Sequence, residues 1–412
     1  MMTLLLVLSA AAADALFPQT AGTTWLYEVQ VVGGSDPTYY QERIERTLEA
    51  DGLTWSVHRV TDLGTGVEPA PVSLPFAQAF DAKAERYFGA DLRRPDVTAE
   101  AVAGADRNVD FPWPLGEEGS EVLAGDETYI VTAASERVVV PAGEFECVRL
   151  RRETRSDGEL IGVDDLFLRP GIGFVRSDAY DVEDGRERMV SREWLMGFWT
   201  GLTGDLSPKE IADLSNRMYD DAVGTRWVTR NWDLDPEYGE VTSSTLQVIK
   251  QGESGGNPAL LLRSNFRTGT GLINAIVGGE SGYEGEVYDR ELGAILYAEV
   301  TKPARGLPGF EDIGEPEGIV WTWPPVVAKD VTAGGDTVRV LRVRREKCLV
   351  PSGLLDCVRI DRRTTYDGEA YFGSDWWVPK VGAVASCEWA SEVGPITSFF
   401  QVRDFRPAGG GG

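Results

Sequence analysis

The feature that most constrains the fold is a sequence that occurs twice. PAGEFECVRL begins at Pro141 and PSGLLDCVRI begins at Pro351, with Pro, Gly, Cys, Val and Arg in the same places. Other pairs follow in the same order along the chain: Trp25 with Trp227, Trp113-Pro114 with Trp323-Pro324, Gly125-Asp126 with Gly335-Asp336, and RPGIGFV from Arg169 with VPKVGAV from Val378. Such a colinear series indicates two copies of one domain.

The repeat divides the chain into five predicted segments. They are a signal peptide over 1–15, a first β domain over 16–200, a linker with a short helix over 201–218, a second β domain over 219–407 and a disordered tail over 408–412. The helix is expected from about Pro208 to Met218. Ser207, Pro208 and Glu210 there supply an N-cap, a first-turn proline and a capping-box carboxylate.

Composition and turn signals favour a mainly β fold in both copies. Each domain is expected to be a strongly curved antiparallel sheet or half-barrel with one or two short helices, since 47 glycines and 12 tryptophans accompany β-branched segments. Asp51-Gly52 is a type I′ hairpin signal. Pairing across it places Trp55 and Val57 on one face and His58 on the solvent-facing side, opposite Glu45.

The repeated Pro-Gly segments are also expected to be hairpins. With Ala142-Gly143 and Ser352-Gly353 as the turn residues, Cys348 lies directly opposite Cys357. In a non-hydrogen-bonded pair the α-carbons are about 4.5 Å apart, which a disulfide accepts. The weak point of this register is Pro351, which has no N–H to donate to a flanking pair.

Four cysteines leave the disulfide pairing open. The favoured bridge is Cys348–Cys357, and the alternative is Cys348–Cys387. Cys147 faces a valine in the same register and is expected to stay a buried thiol.

The first residues resemble an export signal. Thr3 to Ala13 read TLLLVLSAAAA, which is too short to span a bilayer and ends in small residues that suit cleavage. Met1-Met2-Thr3 carry no Lys or Arg, so a buried first strand or helix is the alternative. No later apolar stretch is long enough to span a membrane. The mature chain is therefore expected to be soluble, without a transmembrane segment, and periplasmic or extracellular.

Charge and composition exclude several classes of site. The net charge is −26, which repels nucleic-acid phosphates, so no nucleic-acid partner is expected. One histidine and four cysteines cannot build a His-rich metal centre. The sequence predicts neither a cofactor nor a metal.

The repeated motifs resemble a group of uncharacterised exported bacterial proteins. LFPQTAGTTWLYEV, VVVPAGEFECVRL and DLFLRPGIGFV match that group's opening, hairpin and closing segments, and in the second copy Tyr219-Asp220-Asp221 replaces the Phe-Pro opening. Such domains look similar to the curved half-barrels of the LolA/LolB lipoprotein carriers. The resemblance implies a β sheet around an apolar cavity, and it transfers no site residues.

One motif raises the possibility of a hydrolase. Gly252-Glu253-Ser254-Gly255-Gly256 has the G-x-S-x-G pattern, which needs a strand before it and a helix after it. Asn257-Pro258 follows instead, which indicates a loop between strands. The single histidine, His58, lies in the other predicted domain and has no companion base, so no catalytic residue is predicted.

Trp376 and Trp377 are the candidate contact aromatics. Adjacent residues on a strand point to opposite faces, so one of the two is expected to be exposed unless both faces are covered.

The leading hypothesis is an exported, non-catalytic binding or envelope-associated protein. Its partner would be a hydrophobic small molecule or lipid held in the curved sheet, or an envelope protein. The alternative is a structural or adhesive module that binds protein or glycan through exposed aromatics, with a hydrolase as the remote alternative.

Overall fold

The computed structural model divides the chain into two compact units. Unit 1 comprises Met1–Asp62 and Ala70–Gly201, and unit 2 comprises Leu63–Pro69 and Leu202–Gly412. The residues that the structure describes are 16–34, 37–63, 75–84, 86–91, 97–105, 108–113, 115–124, 127–200, 204–214, 222–234, 241–268, 280–301, 306–351, 353–366, 368–389 and 396–408. The predicted signal peptide lies outside them, and the five-segment division of the chain stays a prediction.

Unit 1 is built almost entirely of strands. They are β1 (Thr24–Val31), β2 (Thr38–Ala50), β3 (Leu53–Asp62), β4 (Phe76–Asp81), β5 (Arg86–Asp91), β6 (Asn108–Pro112), β7 (Glu121–Ala124), β8 (Glu127–Val140), β9 (Gly143–Ser156), β10 (Glu159–Arg169), β11 (Gly173–Glu183) and β12 (Arg186–Trp199). A short helix, α1 (Ala99–Ala103), is capped by the Thr98 side chain, which accepts from the Ala101 N–H.

Unit 2 repeats this succession of strands. They are β13 (Arg226–Asp233), β14 (Val241–Ser254), β15 (Asn257–Thr268), β16 (Glu280–Asp289), β17 (Ala294–Val300), β18 (Ile313–Thr322), β19 (Asp330–Ala333), β20 (Asp336–Val350), β21 (Gly353–Tyr366), β22 (Glu369–Val378), β23 (Gly382–Trp389) and β24 (Ile396–Arg406). A 3₁₀ turn at Phe310–Asp312 precedes β18.

Both units have the same strand order, and each pairing is antiparallel. In unit 1 the order is β6-β5-β4-β3-β2-β1-β12-β11-β10-β9-β8-β7. In unit 2 it is β18-β17-β16-β15-β14-β13-β24-β23-β22-β21-β20-β19. The sheet is not closed. The predicted fold class, mainly β with antiparallel curved sheets, is confirmed.

Irregularities in the ladders recur at corresponding places in the two units. The β1–β12 ladder shifts between Leu26 and Tyr27, and the β13–β24 ladder shifts between Val228 and Thr229. The β10–β11 and β22–β23 ladders also share a shift, which falls just before Leu168 and just before Trp377. Such bulges bend a strand and increase its twist, so both sheets curve at matching positions.

The second helix, α2 (Pro208–Leu214), begins where the sequence predicts it. The Ser207 N–H donates to Glu210 Oε2 at 2.9 Å, and the Glu210 N–H donates to Ser207 Oγ at 3.4 Å, as in a capping box. Residues 215–218 of the expected helix lie outside the described residues. At the other end of unit 2, Ala408 donates a backbone hydrogen bond to Thr225 Oγ1 at 3.2 Å.

The hairpin predicted at Asp51-Gly52 is confirmed. Ala50 pairs with Leu53, and Asp51 and Gly52 have φ of 53° and 76°, as a type I′ turn requires. The placement of His58 on a solvent face opposite Glu45 is wrong. The β2–β3 ladder shifts between Ile44 and Arg46. Glu45 therefore has no opposite residue in this ladder, and His58 pairs with Ile44.

The register predicted for the two Pro-Gly hairpins is also wrong. Val140 pairs with Gly143, and Val350 pairs with Gly353, so each turn begins one residue earlier than expected, at the proline. Proline fixes φ near −65° and has no N–H, which suits the first turn position and not a paired flank. Gly143 and Gly353 then take positive φ, at 144° and 124°.

Candidate binding cavity in unit 2

A tryptophan near the start of each unit holds the first strand against a distant turn. Trp25 Nε1–H donates to the Ile172 carbonyl at 2.6 Å, and Trp227 Nε1–H donates to the Val381 carbonyl at 2.8 Å. Both tryptophans are buried, as are Trp113 and Trp323. All four tryptophans are therefore packed inside their units. The matching hydrogen bonds of Trp25 and Trp227 join the first strand of each unit to a distant turn, and we call this shared arrangement the frame.

In unit 1 the ring of Phe17 fills the space inside this frame. Its centroid lies 5.3 Å from Tyr87, 6.5 Å from Phe111 and 5.2 Å from Phe174. The Phe17 N–H donates to the Tyr87 hydroxyl at 3.0 Å. A Cβ added at Gly173 would overlap the ring, so the glycine leaves room for it. The core of unit 1 is therefore closed by its own first described residues.

In unit 2 a partly open cavity of ≈ 80 Å³ lies inside the frame. Its lining combines four aromatic side chains with aliphatic ones and two polar residues: Trp227, Thr229, Leu246, Leu262, Glu286, Trp321, Trp377, Val381, Gly382, Ala383, Phe400 and Val402. These residues come from strands far apart in the sheet order, β13 to β16, β18 and β22 to β24. They can surround one cavity only because the sheet curves.

The cavity lining corresponds to the surroundings of Phe17. Tyr87 pairs with Phe111 in unit 1, and Ile295 pairs with Trp321 at the same place in unit 2. Likewise Leu168 pairs with Phe174, whereas Trp377 pairs with Ala383. Gly173 becomes Gly382, again with positive φ, 98° and 95°. The cavity of unit 2 therefore lies where unit 1 holds its phenylalanine ring.

Polar groups in the cavity wall are few. Thr229 is buried, and its hydroxyl lies 2.6 Å from Ser244 Oγ. Glu286 is partly exposed and adds a carboxylate to the lining. Trp377 Nε1 is buried and has no hydrogen-bond partner among the described residues. The wall thus offers a large apolar surface, one carboxylate and one indole N–H.

The expected exposure of Trp376 or Trp377 is wrong. The two side chains are only 0% and 2% exposed, because both faces of β22 are covered. Trp376 Nε1–H donates to Glu346 Oε2 at 2.7 Å on one face. Trp377 packs on the other face against Trp321 and Trp323, with centroids 5.0 and 5.1 Å away. Neither tryptophan is a surface contact residue, and Trp377 is part of the cavity wall.

A buried ionic cluster lies on the Trp376 face of the same strands. The Arg359 guanidinium stacks over Trp376 at 5.1 Å, lies 3.5 Å from Glu346 Oε2 and donates to Asp361 Oδ1 at 2.7 Å. Arg344 also pairs with Asp361. Burial raises the pKa of the Glu346 carboxyl to about 7, although Arg359 and the Trp376 N–H act in the opposite direction. The cluster therefore lies on the face of the sheet opposite to Trp377 and the cavity.

Cys348 and Cys357 are joined by a disulfide in the structure, with Cα atoms 6.0 Å apart. The two residues are not directly opposite, because Cys357 pairs with Glu346 and Cys348 pairs with Leu355. The bridge is therefore diagonal across the β20–β21 ladder, at a Cα separation common for disulfides. Cys147 and Cys387 are free and buried. Burial raises the pKa of the Cys147 thiol to about 12, so it stays protonated.

The structure does not form the nucleophile elbow of a hydrolase at Ser254. Ser254 ends β14 and pairs with Asn257, and Gly255-Gly256 form the two-residue turn into β15. No helix follows, as the motif would require. His58 is buried between the rings of Trp25 and Phe76, at 6.1 and 4.8 Å, and its Nδ1 lies 2.7 Å from Glu42 Oε1. His58 is therefore part of the core of unit 1.

Two further cavities of unit 2 lie near α2. One, of ≈ 450 Å³, is lined by Leu206, Ile211 and Val343 among others, and the neighbouring one has a volume of ≈ 210 Å³. Part of the wall of the larger cavity lies at the surface, since Val326 and Val327 are 50% and 44% exposed.

Among the described residues no group of His, Cys, Asp and Glu could hold a metal ion. Within the same residues, no helix has both the length and the apolar character needed to cross a bilayer.

Comparison with known proteins leaves the family open. No protein-family model matches the chain. No curated protein matches it either.

Three solved structures are similar in parts. One is an inferred lipoprotein from Parabacteroides distasonis, with 15% identity, 45% of this chain and 99% of that chain covered, and a TM-score of 0.28. An inferred exported protein with a YmcC-like fold from Bacteroides fragilis has 12% identity, 46% and 99% coverage and a TM-score of 0.28. The MucA/MucB complex of Pseudomonas aeruginosa has 12% identity, 96% coverage of each chain and a TM-score of 0.24.

TM-scores this low carry no argument about function or location. The similarity to the LolA/LolB carriers stays a prediction.

Proposed function

We propose that the chain is an exported, non-catalytic binding protein of the cell envelope whose unit 2 holds the apolar part of a small ligand. The observation that carries this proposal is the ≈ 80 Å³ cavity at the place where unit 1 holds Phe17. The two units share one strand order, the tryptophan hydrogen bond and the matching bulges, and among the described residues this position is filled only in unit 1. We regard them as copies in which unit 1 became the scaffold and unit 2 the binding site.

The chemistry of the wall supports an apolar, uncharged ligand part. Trp227, Trp321, Trp377 and Phe400 provide aromatic surface, and apolar pockets with few polar groups are typical of small-molecule sites. Glu286 in the wall, together with the net charge of −26, disfavours a carboxylate or phosphate inside the cavity.

Location at the envelope rests on the leader-like sequence Thr3–Ala13 and on the diagonal disulfide of unit 2. Disulfides persist in oxidising compartments outside the cytosol. The adhesive alternative is less well supported, because the two tryptophans on which it depends, Trp376 and Trp377, are buried.

Native mass spectrometry after mild extraction from the host envelope tests the proposal. We expect the wild-type chain to carry a small molecule that the Ala383→Phe variant lacks, because that substitution places the phenylalanine of unit 1 at position 174 into the cavity of unit 2. A matched control is Phe266→Ala, at a side chain that is 46% exposed in β15. An adduct of equal occupancy in wild type and Ala383→Phe, or no adduct in wild type, would contradict the proposal.

A further inference from the structure

We infer that the ≈ 450 Å³ cavity beside α2 binds a small amphipathic molecule with one alkyl chain and an anionic head group. The inference goes beyond the proposed function, because this cavity is not the one that lies inside the frame of unit 2. No described residue lines both cavities. The two sites can therefore be tested separately.

The cavity lies between two segments that are both hydrogen bonded to β20. On one side the Leu206 N–H donates to the Val343 carbonyl at 2.8 Å, and on the other the Ala328 N–H donates to the Val340 carbonyl at 2.8 Å. Between these attachments the β20–β21 ladder shifts directly after Val340, where Leu341 is the extra residue. A bulge re-aims a side chain, and Leu341 lines the cavity. The backbone of β20 therefore helps to form this space.

Prolines make part of the cavity wall rigid. Pro208, Pro324 and Pro325 line the cavity, and each fixes its own φ and offers no N–H. Pro208 is also the first residue of α2, whose first turn is held by the capping box of Ser207 and Glu210. A wall that is ordered before binding loses little conformational entropy when a ligand binds.

The size and the lining of the cavity suit an alkyl chain. A volume of ≈ 450 Å³ lies within the range of about 300–1,000 Å³ common for small-molecule sites. Since about 150 Å³ suffices for benzene, the cavity has room for roughly 18 carbon atoms at most. Leu206, Ile211, Leu341 and Val343 supply aliphatic surface. The described lining contains no aromatic ring on which a ligand ring could stack, so an aliphatic chain is the better match.

Arg342 supplies a positive charge for the head group. On the same strand Arg339, Arg344 and Arg345 each pair with a carboxylate. Arg342 is exposed, lines the cavity and has no carboxylate partner among the described residues. Its guanidinium is therefore available to an anion at the mouth of the cavity, where the anion keeps much of its hydration.

The adjoining cavity of ≈ 210 Å³ adds further positive charge. Its lining includes Arg290 and Lys329, and the Lys329 Nζ donates to a backbone carbonyl at 3.2 Å. Together with Arg342, three cations line the two cavities in the described part of the chain, against the two carboxylates of Asp205 and Glu291. In a chain of net charge −26 this is a local excess of positive charge, and it favours an anionic head group.

Decanoate, 1-decanol and decylammonium test the inference, since they share one alkyl chain and differ in the charge of the head group. Their dissociation constants from the full chain are measured by isothermal titration calorimetry at neutral pH. Decanoate is expected to bind about fivefold more tightly than 1-decanol, the ratio that one charge pair at about 4 Å in water produces. Hydrophobicity alone predicts that 1-decanol binds most tightly, and the net charge of the chain predicts decylammonium.

Two substitutions on α2 locate the site. Ala212 and Asp213 are both exposed, but only Ala212 lines the cavity. Ala212→Phe is expected to weaken decanoate binding about tenfold or more, because the ring occupies the space that the chain needs. Asp213→Phe, the matched control, is expected to change it by less than about twofold. Circular dichroism checks that both variants fold.

A second pair of substitutions tests the head group. Arg342→Gln is expected to remove the advantage of decanoate over 1-decanol and to leave the affinity for the alcohol unchanged. Arg339→Gln is the matched control, at an exposed arginine of the same strand that does not line the cavity, and the advantage of decanoate is expected to persist there.

Equal binding of the three ligands, tightest binding of 1-decanol or decylammonium, or no binding of any of them overturns the inference, as does undiminished decanoate binding in Ala212→Phe. Ala383→Phe separates this site from the proposed function. Decanoate binding is expected to be unchanged in that variant, and its loss would place the chain in the cavity of the frame and overturn the inference. The proposed function fails separately, on the native mass spectrometry of wild type and Ala383→Phe.

Discussion

Unit 1 and unit 2 have the same strand order, yet one is closed around its own phenylalanine and the other encloses a cavity. Among the described residues the difference involves few positions. Phe17 and Phe174 fill unit 1, whereas Ala383 and Trp377 line the space in unit 2. Two sheets with the same strand order can therefore differ in a small number of side chains, and these decide whether the interior is filled or contains a cavity.

The two units also differ on the opposite face of the sheet. The Arg359 side chain, stacked on Trp376 in unit 2, is 10% exposed, whereas the Arg149 side chain, stacked on Phe167 in unit 1, is 35% exposed. The corresponding arginine–aromatic pair is thus buried in unit 2 and partly exposed to solvent in unit 1. In unit 2 burial also raises the pKa of the neighbouring Glu346 carboxyl.

The largest expected effect comes from opening the closed unit. Phe17→Ala removes a ring that packs against Tyr87, Phe111 and Phe174, and a phenylalanine-to-alanine change in a core costs about 3–5 kcal/mol. Urea unfolding should show the transition of unit 1 displaced to lower urea while that of unit 2 stays in place. A loss below about 1 kcal/mol would mean that Phe17 does not close the core.

Replacing the disulfide by the unit 1 sequence is expected to have the next largest effect. Cys348→Val introduces the residue that unit 1 has at Val138 and leaves Cys357 free, as Cys147 is. Opening the short loop between the two cysteines should lower the free energy of unfolding of unit 2 by about 2–3 kcal/mol. Wild type measured with and without a reductant provides the control, and a variant as stable as the oxidised protein would contradict the expectation.

The buried cluster of unit 2 predicts a pH dependence. The pKa of Glu346 is raised to about 7 in the folded chain, against about 4.3 when unfolded. Between these values the folded state binds more protons than the unfolded state, so the contribution of Glu346 to stability falls as pH rises through this window and is smallest above pH 7.

Glu346→Gln isolates that contribution. From pH 5 to pH 8 the wild type should lose on the order of 2 kcal/mol of unfolding free energy relative to this variant. Glu136→Gln, at the corresponding and more exposed carboxylate of unit 1, serves as the matched control, and we expect a much smaller difference there. Parallel pH profiles for wild type and Glu346→Gln would show that the cluster does not hold a protonatable carboxyl.

The smallest effect on stability is expected from filling the cavity. Ala383→Phe copies the Phe174 of unit 1 and should raise the free energy of unfolding of unit 2 by about 1 kcal/mol, as cavity-filling substitutions commonly do. Differential scanning calorimetry measures the change. A destabilised variant would indicate that the walls of the two units do not correspond closely enough to accept the same ring.

Local signals in the sequence predicted the parts of the fold that depend on neighbouring residues. Asp51-Gly52 specifies its own turn, and Ser207-Pro208 specifies the start of α2, since both depend on a few adjacent dihedral angles. The predicted hairpin register at Pro141 and Pro351 is wrong because proline has no N–H to donate to the ladder. This lack outweighs the preference for glycine as a residue of a two-residue turn. The burial of His58 has no local signature, because the rings of Trp25 and Phe76 that cover it come from β1 and β4.

The binding cavity depends on contacts that alternation along one strand does not encode. Trp377 is buried by Trp321 and Trp323 from another part of unit 2, so its exposure could not be read from β22 alone. A usable signal existed in the repeat itself. RPGIGFV and VPKVGAV align Phe174 with Ala383, and the exchange of a large side chain for a small one inside a shared frame marks the place where space opens.

The pairing of β1 with β12 sets the order in which unit 1 can assemble. Trp25 lies opposite Phe198, and Trp25 also bonds to Ile172, 147 residues away. Contacts of such long sequence separation make a β domain fold slowly. β1 can pair with β2 early in synthesis, but its ladder with β12 can form only after the last strand of the unit has been synthesised. The β1–β12 ladder is therefore among the last pairings of unit 1 that can form during synthesis.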